Sequence, residues 1–205
     1  MLMKDKTTTV QAIRRRPFIV GIGGTVKPES STEQALEIAL RAAGEKGAEI
    51  ELFGGAFLAE LPHYGLPEGR TSKAAARLVA AMRNADGVII ASPGYHGSIS
   101  GLMKNAIDYT EDMVNDPRVY FDGLPVGLVA TAYGWQATGS TLAALRSIVH
   151  ALRGWPTPLG AGINCAGGVF KDGACTVDAF TQQLRTVGQQ VAEAAIRNSV
   201  FRTTA

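Results

Sequence analysis

The chain has 205 residues and a formal net charge of +2; 46% of its residues are hydrophobic and only 7% aromatic. That is enough chain for one domain with an aliphatic core, and the charge is too slight for the concentrated basic face a nucleic-acid binder needs. No run approaches the roughly 18 apolar residues of a membrane span, and residues 1–16 lack the apolar stretch of a secretory signal, so a cytoplasmic protein is expected, with neither nucleic acid nor membrane as partner.

Residues 1–16 read as a flexible N-terminal arm whose basic run, Arg14, Arg15 and Arg16, is solvated. From Pro17, PFIVGIGG is a short apolar strand ending in glycines. SSTEQALEIALRAAGEKG follows with Leu36, Ala39, Leu40 and Ala43 on one helical stripe. Ser30 with Glu33, or Ser31 with Gln34, can form a capping box at its start, and Gly47 is its stop. AEIELF (48–53) is the second strand. Residues 54–69 carry Pro62, Gly65, Pro67 and Gly69 and read as a long loop, functional or mobile.

Ser72 can cap a helix through Met82 with Leu78, Val79 and Met82 on its apolar face. Val88, Ile89 and Ile90 form the third strand, broken by the turn residues Ser92, Pro93 and Gly94. Leu102, Met103, Ala106 and Ile107 then share a helical face. Residues 110–123 are polar and irregular, and LPVGLVATA (124–132) is strand four. Ser140 or Thr141 starts a helix carrying Leu142, Leu145, Val149 and Leu152 on one side. WPTPLGAGIN (155–164) supplies strand five, residues 167–175 make a turn-rich excursion, and the last helix runs from Val177 to Asn198. Cys165 and Cys175 have neither metal-site nor CxxC spacing, so free thiols are expected.

Strands that alternate with helices predict an α/β fold, a parallel sheet covered on both faces. With glycines in the first and third loops, the ligand crevice is expected between strands one and three, at the switch point of a 2-1-3-4-5 order.

The first loop, GIGGTVKPESST (21–32), fails as a dinucleotide fingerprint because Val26 stands where a third glycine is needed. It fails as a Walker loop because no Gly-Lys-Ser/Thr follows. It does gather Thr25, Lys27, Ser30, Ser31 and Thr32 at a helix N-terminus, where hydroxyls, free N–H groups and one cation suit a phosphate monoester. The competing reading is a plain helix cap beside a solvated lysine. The third loop, SPGYHGS (92–98), is either an exposed turn or a glycine-flanked backbone that approaches a flat heterocycle closely. His96 is its one candidate for chemistry; His63 and His150 read as structural or surface residues.

The run SPGYHGSISGLMKNAIDY (92–109) resembles the signature of the NAD(P)H-dependent FMN reductases, a flavodoxin-like group that includes quinone, azo and chromate reductases. The resemblance spans about residues 17–195. It implies a three-layer flavodoxin-like sandwich over 17–205, with FMN as cofactor and NADPH or NADH as co-substrate. By the same resemblance Thr25, Lys27, Ser30, Ser31 and Thr32 hold the FMN phosphate, while Pro93, Gly94, Tyr95, His96, Gly97 and Ser98 line the isoalloxazine. Gly94 occupies a position where family members often carry glutamate. The segment TAYGWQATGS (131–140) is similar to the family's stretch beside the pyrimidine ring, which brings in Tyr133 and Gly134, with Tyr133 and Trp135 able to stack or to meet another subunit.

Flavin chemistry requires no catalytic side chain. The implied activity is a ping-pong transfer from NAD(P)H through FMN to a small-molecule electron acceptor such as a quinone, free flavin or azo compound. A flavodoxin-type carrier without NAD(P)H oxidation and a non-enzymatic fold relative are the alternatives. The resemblance also implies a homodimer or homotetramer, with residues 109–121 and the Tyr133–Trp135 loop as candidate contacts.

Overall fold

The computed structural model describes residues 15–202. Its elements in chain order are β1 (Phe18–Gly23), α1 (Ser31–Glu45), β2 (Glu49–Phe53), α2 (Gly55–Ala59), α3 (Pro67–Thr71), α4 (Lys73–Asn84), β3 (Gly87–Tyr95), β4 (Ser98–Ile99) and α5 (Gly101–Asp108). They continue with β5 (Pro125–Ala132), α6 (Trp135–Ala151), β6 (Trp155–Asn164), β7 (Phe170–Lys171), β8 (Ala174–Cys175) and α7 (Asp178–Arg202). The five long strands are parallel in the order β2-β1-β3-β5-β6, the expected 2-1-3-4-5, and the two-residue β4 pairs antiparallel to the end of β3. This is a flavodoxin-like α/β sheet.

Alternation along each strand feeds two cores. Val20, Ile22, Val88, Ile90, Val126 and Leu128 point to one face and pack with α4, α5 and α6, whereas Ile19, Ile89, Val129, Ala161 and Ile163 point to the other and pack with α1 and α7. The stripe Leu36, Ala39, Leu40 and Ala43 of α1 is buried as expected. Ser30 is the N-cap, its Oγ accepting the Glu33 N–H at 3.2 Å. The edge strands carry their own protection against pairing with another chain: Glu49 and Glu51 on β2, Pro156 and Pro158 on β6.

Five expectations are corrected. Residues 54–69 are not one long loop, because Gly54 caps α2 and Pro67 opens α3. The segment between these helices is tied down by α5: Asn105 Oδ1 accepts the Tyr64 N–H, and Asn105 Nδ2 and the Tyr109 hydroxyl both donate to Pro62 O. Ser92, Pro93 and Gly94 do not turn the chain but extend β3, with Pro93 paired to Thr131 of β5. The last β1 partner on that strand is Ala91, so Pro93 lies where one flank of β3 carries no ladder and a missing N–H is tolerated.

The helix expected from Ser140 starts at Trp135, so residues 135–140 belong to α6 rather than to a loop. Finally, Tyr109, Met113 and Phe121 are buried in the chain's own core, which accounts for their apolarity without a subunit contact. Most of the expected N-terminal arm, including Arg14, lies outside the described residues. Arg15 is not merely solvated: its guanidinium donates to both oxygens of Asp86, which also accepts the Phe18 N–H.

The irregular segment before β5 is secured by Arg118. Its guanidinium donates to Met82 O and Arg83 O, carbonyls at the end of α4, and to Tyr120 O. Arg118→Ala is expected to cost about 1–3 kcal/mol, since carbonyls at a helix end lose a charged donor. Arg118→Lys should not restore the loss, because an ammonium lacks the planar fork. Urea denaturation of the three proteins checks this; equal midpoints would refute it.

Candidate functional site

The carboxyl ends of β1, β3 and β5 open into a cleft of about 210 Å³. Of the residues singled out above, Thr25, Lys27, Ser30, Ser31, Thr32, Pro93, Gly94, Tyr95 and Tyr133 line it. His96, Gly97, Ser98 and Gly134 adjoin it in sequence but are not among its lining. Glu29, Thr131, Ala132 and Cys165 complete the wall.

One end is built by the start of α1. The Ser30 hydroxyl is used as the cap, and the Gln34 N–H closes on Ser30 O. The N–H groups of Ser31 and Thr32, which precede any intrahelical acceptor, have no protein partner among the described residues. Thr25 and Lys27 form a small turn, the Lys27 N–H reaching Thr25 Oγ1 at 3.2 Å. Thr32 is buried, and its hydroxyl meets that of Thr131 at 2.6 Å, joining the start of α1 to the end of β5.

The loop before α1 is seated on the turn after β2. The Gly55 N–H donates to Glu33 Oε2 at 2.7 Å, so the glutamate that could have completed a capping box reaches across to another segment instead. The approach is close enough that a Cβ on Gly55 would lie 1.8 Å from Thr25 O.

The opposite wall comes from β3 and its hairpin. The two-residue turn His96-Gly97 has positive φ at both positions, 50° and 88°, as a type I′ turn requires. Histidine tolerates this region better than most side chains, and the role of His96 in the fold is that of a turn former. Ser92, fully buried, accepts the Ser100 N–H on its Oγ, and Ser100 Oγ in turn caps α5 through the Met103 N–H. Gly94 has no room for a side chain: a Cβ would lie 2.6 Å from Thr141 Oγ1 and 3.2 Å from Ala137 O. The early start of α6 is what fills the space.

Tyr95 and Tyr133, which line the cleft, are 53% and 85% exposed, and Trp135, two residues further on, is 61% exposed. Trp135 is steadied by an edge-on contact with Phe180 of α7, ring centroids 5.9 Å apart. Cys165, at the base of the cleft, is a free, buried thiol; burial pushes its pKa up, and the neighbouring Ser31 hydroxyl partly counters this. Cys175 is also free, as expected.

Residues 17–166 match the NADPH-dependent FMN reductase family. The chain belongs to this family.

An FMN-dependent NADPH-azoreductase of Staphylococcus aureus is 39% identical to this FMN reductase relative over 74 residues, which is 36% of each chain. The match thus spans about a third of that relative's length. Two solved structures show the same fold. A flavoenzyme NAD(P)H:(acceptor) oxidoreductase from Paracoccus denitrificans aligns with TM-score 0.70 at 17% identity, over 88% of this chain and 98% of its own. An NADH:FMN oxidoreductase in its apo form aligns with TM-score 0.67 at 20% identity, over 87% and 89% of the two chains.

Glu29 and Cys165 were not singled out from the sequence. Glu29 lies within the phosphate-type loop but carries a charge of the wrong sign to mark a phosphate site. Cys165 lies at the end of strand five, and only the sheet order brings that end to the cleft.

Proposed function

We propose that this family member is an FMN-dependent NAD(P)H oxidoreductase. The observation that carries the reading is the pair of unpartnered N–H groups on Ser31 and Thr32, which share their end of the cleft with Lys27 and the hydroxyls of Thr25, Ser30 and Ser31. Orphan donors at a helix start beside one cation suit a phosphate monoester.

Bound there, FMN would supply hydride acceptance from NADPH or NADH and two-electron delivery to a quinone, azo compound, free flavin or similar acceptor, in ping-pong order. The chain's own work is to bind and orient. Thr25, Lys27, Ser30, Ser31 and Thr32 would hold the phosphate, and the backbone of Pro93, Gly94 and Tyr95 would line the ring. The end of β5 with Tyr133 and Gly134 would line it as well, with His96, Gly97 and Ser98 forming the adjoining hairpin tip. Tyr95 gives a planar co-substrate an aromatic face to stack on, as do Tyr133 and Trp135 where no second subunit covers them. No side chain is asked to act as acid or base at the reacting atoms.

Two unbridged cysteines accord with a reducing, cytoplasmic setting. A homodimer or homotetramer is part of the reading, with exposed Tyr133 and Trp135 as the contact. Purified protein reconstituted with FMN is expected to show the visible flavin band and to lose it when NADPH is added without oxygen. Retained colour after NADPH and NADH would indicate an electron carrier instead, and failure to bind FMN would indicate a non-enzymatic relative. The same preparation should run above monomer mass at micromolar concentration; a monomer would remove the aromatic contact.

A further inference from the structure

The phosphate-type end of the cleft contains an acid that the proposed function does not use. Glu29 lines it together with Lys27, Ser30 and Ser31. No cation among the described residues lies within 4.0 Å of its carboxylate, so its charge is unpaired. Its backbone is equally unusual, with φ of 52°, in the left-handed region that glycine enters freely and glutamate does not. That conformation is held by the Gln34 side chain, whose Nε2 donates to Glu29 O at 2.6 Å, and by Ser30, which caps α1 immediately afterwards. The Glu29 backbone is therefore held at the wall of the cleft, two and three residues before the orphan N–H groups of Ser31 and Thr32.

Lys27 is the single cation in the lining, so the ionised side chains here sum to zero. A phosphate monoester brings about −1.5 to −2 charges at pH 7. Whatever Lys27 and the start of α1 contribute to holding it, Glu29 opposes.

We infer that Glu29 is a specificity-determining residue that lowers affinity for the flavin phosphate. The site then prefers FMN over phosphate-free riboflavin by less than Lys27 and the start of α1 alone would give. This rests on the flavin reading above and adds to it the class of ligand accepted. A unit charge several ångströms away through solvent alters binding of a phosphate dianion by about three- to tenfold, which sets the size of the expected effect.

The test is titration of the flavin-free protein with FMN and with riboflavin, followed by quenching of flavin fluorescence, for wild type, Glu29→Gln and Glu29→Gly at low and high salt. Glu29→Gln should tighten FMN binding by about three- to tenfold at low salt and by less at high salt, while riboflavin binding changes less than about twofold. Glu29→Gly should tighten FMN at least as much and should also raise the melting temperature without ligand, since it removes the positive-φ penalty. Unchanged FMN affinity in Glu29→Gln overturns the inference, as does an equal change for both flavins. If no variant binds either flavin, the flavin reading fails and this inference falls with it. If wild type binds FMN and the variants do not differ, only the inference falls.

Discussion

Replacing Gly55 with alanine is expected to weaken FMN binding at least about tenfold and to destabilise the fold by about 1–3 kcal/mol, the usual cost of overpacking a tight contact. The new Cβ would sit 1.8 Å from Thr25 O and 2.7 Å from Thr25 N, so it meets backbone that has no rotamer to adopt. One of the two segments must move. The loop before α1 is the weaker partner, being held mainly by the small turn at Thr25 and by Glu33 reaching Gly55. Its displacement would carry Thr25 and Lys27 away from the Ser31 and Thr32 N–H groups. Calorimetric FMN binding and thermal melting of the variant measure the two effects. Glu33→Gln serves as the milder control, since it keeps an acceptor for the Gly55 N–H and should retain most of the affinity. An unaltered FMN affinity in Gly55→Ala would show that the loop is not seated through this contact.

Gly94→Glu is expected to be more damaging, although glutamate is a residue often found at this position by family resemblance. Here the side chain would begin 2.6 Å from Thr141 Oγ1 and 3.2 Å from Ala137 O, both on α6. A carboxylate driven between β3 and α6 combines steric cost with loss of solvation, and a penalty of about 3 kcal/mol or more is expected. For a chain of this length that corresponds to a melting temperature lower by roughly 6 °C or more. Gly94→Ala alone should cost about 1–3 kcal/mol, and adding Thr141→Ala should recover part of it by removing the hydroxyl that collides. A Gly94→Glu protein with wild-type stability would mean that the start of α6 yields readily.

The fold was legible because its strongest signals are periodic. Helical stripes such as Leu36, Ala39, Leu40 and Ala43, and apolar runs such as Val88, Ile89 and Ile90, report burial directly, and alternation of strands with helices leaves few topologies. Local turn chemistry was less reliable. Ser92, Pro93 and Gly94 carry every mark of a turn, yet β5 holds Ser92 and Pro93 extended, β4 pairs Gly94, and the reversal falls two residues later at His96-Gly97. The start of α6 was missed because Ser140 and Thr141 look like caps. The helix instead begins at Trp135 after Gly134, without a side-chain cap. At the site, Lys27 and the hydroxyls announced a phosphate-type loop, and nine of the thirteen residues named do line one cleft. Cys165 carries no local signal of its own: a cysteine without metal-site or CxxC spacing is marked only by its place at the end of β6, beside β5. Asn105 and Tyr109, which belong to the run that resembles the family signature, are tethers for Pro62 and Tyr64.

The hydroxyl contact between Thr32 and Thr131 has a thermodynamic corollary. It ties the first turn of a helix on one side of the sheet to the tip of a central strand, within the buried interior. Loosening either piece breaks a buried hydroxyl pair, so a ligand that holds the start of α1 in place also steadies the strand tip. By linkage, each tenfold excess of ligand over its dissociation constant should add about 1.4 kcal/mol to the whole molecule. The melting temperature becomes a direct gauge of flavin affinity.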